Sequence, residues 1–452
     1  MKRQQSIVFW WSLILALGGF LFGFDTAVIS GVEKTIQSLF QLTPFWHGFA
    51  ISSALIGTIG GALLAGGPAD KLGRKPVLFV IAALFAISAF GSAIAGSLTT
   101  FVIYRFLGGI AVGASSVVAP MYISEISPAA VRGKMTALFQ FNVIFGILIA
   151  FVSNYLLRDM DGEAWRWMLG VGGVPAVLYF FLLFIVPESP RFLVKKGESS
   201  KAIVILSRIG TENINQVVEE IKDSMMQKKE NLFSRRYAKP IAIAFLVAMF
   251  NQFSGINAIL YFAPRIFELS GLSAVDSMFQ PVLIGVTNGL FTILGLLIID
   301  RVGRKKLLMA GSAGMAICLG LVAISFYRQN FGGYSLLMYL VGYIMFFAFS
   351  TGAVIWVLIS EVFPNQVRGQ GQSLGSFTHW FFAAAITFVF PAIAEEYTYG
   401  AGHMFLFFAL MMILQVIVVW SYFPETKGRT LEELGEQLSS NPQSNILKTV
   451  KS

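Results

Sequence analysis

Asp25 stands in GGFLFGFDTAVISGV, residues 18 to 32, where it interrupts an otherwise oily helical stretch. A carboxylate there can take up and release a proton. A second charge in apolar surroundings is Arg105, in YRFLGG. An arginine beside the acid favours the carboxylate by Coulomb attraction, whereas burial away from the arginine favours the neutral acid. An acid moved between those surroundings exchanges a proton with solvent, and that exchange can be coupled to the movement of a cargo. The alternative is a permanent ion pair that orients two helices.

The elements that hold these charges are membrane helices. Of 452 residues, 56% are hydrophobic and 13% charged, and the mean hydropathy is +0.72, outside the range of soluble domains. Twelve apolar runs fall near 8–32, 46–68, 77–97, 100–124, 134–157, 167–187, 238–266, 278–300, 306–326, 335–360, 370–392 and 402–423. Each has the roughly 20 residues that cross a hydrocarbon core of ~30 Å. Counted from the start of its run, Asp25 lies about 25 Å up, and Arg105 lies about 8 Å below the surface at which its own run begins. The two charges are therefore expected at comparable depth, facing the interior and each other, because an intramembrane charge costs at least ~2.5 kcal/mol on insertion scales.

A net charge of +9 would suit a nucleic-acid binder, but its placement says otherwise. Lys71, Arg74, Lys75, Arg132, Lys134, Arg301, Arg304, Lys305, Lys306 and Arg368 fall in alternate connections, with Lys2 and Arg3 at the start. That asymmetry predicts both termini and the middle loop in the cytoplasm, and no nucleic-acid partner. The first run is expected to be a membrane helix rather than a cleaved signal. The lone Cys318 sits in an apolar run and reads as a small core or lipid-facing residue.

The chain is written twice. ADKLGRKPVL at 69–78 returns as IDRVGRKKLL at 299–308, YISEISPAAVRGK at 122–134 as LISEVFPNQVRGQ at 358–370, and PESPRFL at 187–193 as PETKGRTL at 424–431. The preserved order and the offsets of 230 to 237 residues imply two related six-helix halves. The expected organisation is an N-terminal bundle over 1–190, a cytoplasmic linker over 191–237, a C-terminal bundle over 238–423 and a cytoplasmic tail over 424–452. Within the linker, Ile214, Val217, Val218, Ile221 and Met225 recur at helical spacing, so short amphipathic helices are expected, with Ser199 or Ser200 capping one of them. Two repeated halves imply a substrate site at their interface and alternating access.

GGPADKLGRKP, YRFLGG, PESPRFL, QFSGIN and PETKGRT together resemble the sugar porter branch of the major facilitator superfamily, which includes bacterial xylose–proton symporters and animal glucose facilitators. The resemblance spans about residues 8 to 435. It implies an all-α fold of twelve transmembrane helices in two pseudo-symmetric bundles. Family symporters carry an acid at the position of Asp25 and an arginine at that of Arg105, whereas uniporting relatives typically lack the acid. Sugars need amides that donate and accept and rings to lie against. Gln140, Gln252, Asn257, Asn288, Tyr261, Trp356 and Trp380 resemble sugar-contacting positions. Gln252 and Asn257 are about 140° apart on an ideal helix, so an unwinding at Ser254 and Gly255 is expected to re-aim one of them. Two features depart from the family pattern. His379 replaces an amide before Trp380, as a neutral hydrogen-bonding group or a titrating one, and Gly352-Ala353 replaces a Gly-Pro pair, leaving the tenth helix less reason to kink.

Charged residues recur at the predicted cytoplasmic ends. Asp70 and Arg74 are matched by Asp300 and Arg304, and Glu125 and Arg132, placed at the end of the fourth helix, by Glu361 and Arg368 at the end of the tenth. Such groups can form bidentate bonds across the seam between halves, closing that side. Glu188, Arg191, Glu425 and Arg429 resemble further members of the family's network. The sequence thus predicts a monomeric, proton-coupled importer of a pentose or hexose in a bacterial inner membrane, surrounded by lipid, with the proton as coupling ion and no cofactor. A polyol symporter of inositol type and an uncoupled facilitator are the alternatives. An enzyme is disfavoured, since no metal cluster, nucleophile motif or phosphate loop is present in the sequence.

Overall fold

A computed structural model describes every residue except 1, 129–130, 161–162, 227–229, 272, 332–333, 365, 398, 430–432, 435–437 and 439–452. Among the described residues all regular structure is helical. Twelve helices are long and apolar enough to span a membrane: Ser6–Gly31, Pro44–Leu64, Arg74–Ile94, Leu98–Glu125, Arg132–Leu157, Ala164–Ile185, Arg235–Leu269, Asp276–Val302, Arg304–Arg328, Ser335–Glu361, Arg368–Glu395 and Gly400–Tyr422. They are called the first to twelfth spans below. Each lies within a few residues of its expected run. Local chemistry sets their ends: Pro44 opens the second span at a position where no amide is needed, and Ser97 with Thr100 forms a capping box at the fourth. Gly73 and Gly303, at φ +107° and +98°, turn the chain between the second and third and the eighth and ninth spans. A side chain is strained there, which explains the glycine of both repeat motifs.

Contacts group the residues into two units. The first comprises Met1–Gln227, Ala258–Gly289 and Thr387–Ala392. Inside it, Gly19 and Gly23 of the first span lie against the backbone of Phe139 and Val143 in the fifth, and Gly146 lies against Phe20 in return. Gly57 and Gly61 of the second span meet Phe106 and Ile110 of the fourth, while Gly109 and Gly113 meet Ala54 and Thr58. In lipid, where association has no hydrophobic drive, such close backbone approach supplies the packing energy.

The second unit comprises Lys228–Asn257, Leu290–Ile386 and Ile393–Ser452. Its core joins Ile243 and Val247 of the seventh span to Leu307, Val354, Leu358 and Val419. The seventh span breaks at Ser254–Gly255, with Gly255 at φ +84°. The tenth contains a π turn at Ala348–Gly352. The helix thus departs from regular α geometry beside the position where the proline is missing. The Ser350 hydroxyl donates to the Phe346 carbonyl one turn back at 2.5 Å, the back-bonding that bends helices without proline.

Between the sixth and seventh spans stand helices Pro190–Lys195, Ser199–Arg208 and Ile214–Met226. The last is amphipathic as expected, with Val218 buried. The cap of the middle helix is corrected. Ser199 is already helical and Glu198 takes the cap position, its carboxylate bound by Lys201 at 2.7 Å and Lys196 at 3.1 Å. From residue 439 the expected tail lies outside the described residues.

Candidate functional site

Asp25 and Arg105 meet in the first unit. Arg105 Nη1 donates to Asp25 Oδ1 at 2.7 Å and Nη2 to the Asp25 carbonyl at 3.3 Å. Their side chains are 13% and 2% exposed, so the depth estimated from helix rise was sufficient to pair them. Pairing offsets the desolvation that either charge alone would suffer. Tyr261, fully buried, lies beside this pair with its hydroxyl bonded to Thr26. Gln140 of the fifth span and buried Asn288 of the eighth belong to the same unit.

The second unit gathers most of the remaining candidates around the break in the seventh span. Gly255 turns the chain so that Asn257 Nδ2 donates to Gln252 Oε1 at 2.8 Å, although an ideal helix would hold the two side chains apart. Gln252 Nε2 donates to Asn251 Oδ1 at 3.0 Å and lies 3.2 and 3.1 Å from the two ring nitrogens of His379. An amide nitrogen only donates, so the ring nitrogen that it meets accepts, and the imidazole is neutral. Ser254 Oγ returns to the Asn251 carbonyl at 2.6 Å and receives the Tyr343 hydroxyl at 3.2 Å, which holds the break in place. The His379 ring is centred 5.0 Å from that of Trp356 and 4.8 Å from that of Trp380. Trp356 is 37% exposed while Trp380 is buried. The cluster is neutral, rich in donors and acceptors, and carries an exposed aromatic face, the chemistry that binds a hydroxylated, uncharged solute.

The repeated charged motifs build two similar networks. In the first unit Arg74 grips Glu125 through Nε and Nη2, both at 2.9 Å, and reaches Asp70 at 3.1 Å. Glu188 accepts from the backbone amides of Arg74 at 3.1 Å and Lys75 at 3.2 Å, and the Ser189 hydroxyl binds Glu125. Burial raises the Glu188 carboxyl above its ordinary 4.5, against the backbone amides of Ser189, Lys75 and Arg74, which favour the carboxylate. In the second unit Arg304 grips Glu361 through Nη2 at 2.7 Å and Nε at 3.2 Å and reaches Asp300 at 2.8 Å. Glu425 accepts from the amides of Arg304 and Lys305 at 2.9 and 3.2 Å, and Thr426 donates to Glu361 at 2.7 Å.

The bidentate pairs of Arg74 with Glu125 and of Arg304 with Glu361 each close within one unit. The turns at Gly73 and Gly303 deliver each arginine onto the glutamate of its own half. Arg132 and Arg368 are also relocated: they open the fifth and eleventh spans rather than ending the fourth and tenth. Arg191 and Arg429 lie in the segments after the sixth and twelfth spans, each with an interaction partner.

Sequence reasoning missed a further buried cluster in the first unit. Glu33, 2% exposed, meets Arg265 Nε at 3.0 Å and lies 2.9 Å from fully buried His47. Arg265 also binds Gln37, and Lys34 binds Glu268 nearby. The available signal was Arg265, a charge inside the seventh run, but it lay one residue from the expected end of that run, where charges are ordinary.

The profile of the sugar (and other) transporter family matches residues 11–438. The chain is 36% identical to the arabinose-proton symporter of Bacillus subtilis, over 96% of this chain and 95% of that protein. It is likewise 36% identical to the D-xylose-proton symporter of Escherichia coli, over 96% of each. The inward-open structure of the E. coli xylose transporter XylE matches with a TM-score of 0.85 at 35% identity, covering 96% of this chain and 100% of that one.

Proposed function

The chain belongs to the sugar (and other) transporter family, and from that premise we propose that it is a proton-coupled symporter importing a monosaccharide, a pentose or a hexose, by alternating access. The observation that carries the reading is the buried ion pair of Asp25 and Arg105, at 2.7 Å. An intramembrane carboxylate is costly, and its presence here fits an acid that takes up a proton when the arginine lets go. The names of the relatives, arabinose-proton and D-xylose-proton symporters, support the same cargo class and coupling ion.

In this reading Gln252, Asn257 and His379 hydrogen-bond the sugar hydroxyls, with Gln140 and Asn288 as further polar contacts. Trp356, Trp380 and Tyr261 offer rings to its apolar face. The networks of Arg74 with Asp70, Glu125 and Glu188, and of Arg304 with Asp300, Glu361 and Glu425, brace each half at its charged end, joined by Arg132, Arg191, Arg368 and Arg429. The positive charges of alternate connections support a multi-pass protein of the plasma membrane with both termini cytoplasmic and the charged ends facing inward. The Glu33–His47–Arg265 cluster then holds the outward side. The proton is the only coupling species invoked, and a single chain in lipid suffices for the cycle.

The test is uptake into proteoliposomes under an imposed proton gradient, with xylose, arabinose, glucose, galactose and inositol compared. One of these is expected to accumulate above its external concentration and to be released by a protonophore. Equilibration that ignores the protonophore would make the protein a facilitator and contradict the reading.

A further inference from the structure

Beside the Asp25–Arg105 pair lies a small pocket of about 10 Å³, lined in part by Asp25, Ser92, Arg105, Phe24, Phe85 and Gly172. That volume is about what one water molecule needs, provided that two to four polar partners surround it. The walls supply them. The Asp25 carboxylate accepts, Arg105 Nε donates, and the Ser92 hydroxyl does either. Arg105 spends both terminal nitrogens on Asp25, while its Nε and the Ser92 hydroxyl are buried without a hydrogen-bond partner. Both residues are 1% exposed. Leaving such groups unsatisfied is costly, and a bridging water satisfies them together. Ser88, one turn before Ser92, has the same unpartnered hydroxyl. A Cβ at Gly108 would press on that hydroxyl and approach the Asp25 carboxylate to 3.5 Å, so Ser88 borders the same acid.

The pocket also has a direction. Ser92 stands two residues before the end of the third span and Leu169 five residues into the sixth, about 3 and 8 Å from those ends by helix rise. Arg166 ties the two ends together, donating to the carbonyls of Ala93 at 2.7 Å and Ala95 at 3.2 Å. We propose that this pocket binds one water between Asp25, Arg105 Nε and Ser92, and that Ser92 is a positioning residue on a proton path to Asp25 that runs through the first, third, fourth and sixth spans. The inference rests on the reading of Asp25 as the coupling acid. The bound water passes one proton to an Asp25 oxygen and takes one from the Ser92 hydroxyl, which is reprotonated by a hydronium ion or buffer acid of the adjoining solvent, so the proton that Asp25 gains is the one that acid gives up.

The test compares Ser92→Leu, which fills the pocket, Ser92→Ala, which removes the hydroxyl, and Ser92→Thr, which keeps it. Sugar-evoked proton uptake and sugar counterflow are read in the same proteoliposomes, with Asp25→Asn as control. Ser92→Leu is expected to slow proton uptake about tenfold, a modest share of what a positioned proton-transfer group contributes, with counterflow unchanged. Ser92→Ala should lower the ratio of proton uptake to counterflow by a smaller factor, and Ser92→Thr should restore it. An unchanged ratio in Ser92→Ala overturns the proposal, and decides the matter even where Ser92→Leu fails to fold. A parallel fall of both activities in Ser92→Ala, not restored by Ser92→Thr, also overturns it, because Ser92 is then a packing residue. If Asp25→Asn keeps sugar-evoked proton uptake, the coupling reading itself falls, whatever Ser92 does.

Discussion

Arg74 and Arg304 occupy equivalent places in the repeated motif, follow equivalent glycine turns and chelate equivalent glutamates, Glu125 and Glu361. The likeness stops inside the spans. The first half holds the Asp25–Arg105 pair; the second gathers neutral amides, an imidazole and indoles around a broken helix. What duplication preserved is therefore the mechanical part, needed twice because each half must remain rigid as it moves. What diverged is the chemistry around these two clusters, an acid–guanidinium pair in one and neutral hydrogen bonding in the other.

Removing the arginine should break this division most severely. Arg105→Ala leaves Asp25 buried without its cation, and the loss of stability is expected to be about 3–5 kcal/mol. Thermal unfolding in detergent should register it, and adding Asp25→Asn should recover most of the loss. If the double variant is no more stable than the single one, the pair is not what balances the charge. In the neutral half, Gln252→Ala removes the amide that holds Asn257 and meets His379. A group that donates and accepts for a bound hydroxyl contributes about 1–3 kcal/mol, so sugar affinity should weaken about five- to hundredfold while stability changes little. Unchanged affinity by calorimetry would move the sugar elsewhere.

The smallest effect separates the two copies of the network. Glu125 is 7% exposed and Glu361 22%, and Asp70 is 49% exposed against 81% for Asp300. Arg74→Lys should therefore destabilise more than Arg304→Lys, by up to about 1 kcal/mol, since the fork of bonds is lost in both but the more hydrated copy loses less. The reverse order would mean that burial does not set the strength of these networks.

Much of this was legible in the sequence because membranes make charge scarce. Asp25 and Arg105 stood out in oily runs, and a fixed rise per residue placed them at one depth. The break at Gly255 was also readable, since Gln252 and Asn257 would not share one face of an ideal helix without it. Partners were harder to read. The motifs identified Arg74 and Glu125, but nothing in their spacing said that Gly73 would fold one onto the other within the same half. The π turn at Ala348–Gly352 was missed because its support is a serine rather than a proline. Glu33, His47 and Arg265 escaped because each lies at the edge of a run, where a charge usually meets water. A 3-10 turn at Ile29–Gly31 and the short helix Glu33–Leu39 instead carry Glu33 inward, to 2% side-chain exposure.

The most direct test of the division between a charged half and a neutral one is sugar-evoked proton flux in proteoliposomes bearing wild type or Asp25→Asn, without an imposed gradient. Wild type should alkalinise the external medium when its sugar is added. The variant should show no proton signal while retaining sugar counterflow, because its neutral half is intact. A variant that alkalinises as wild type does would contradict the account and leave Asp25 a structural partner of Arg105.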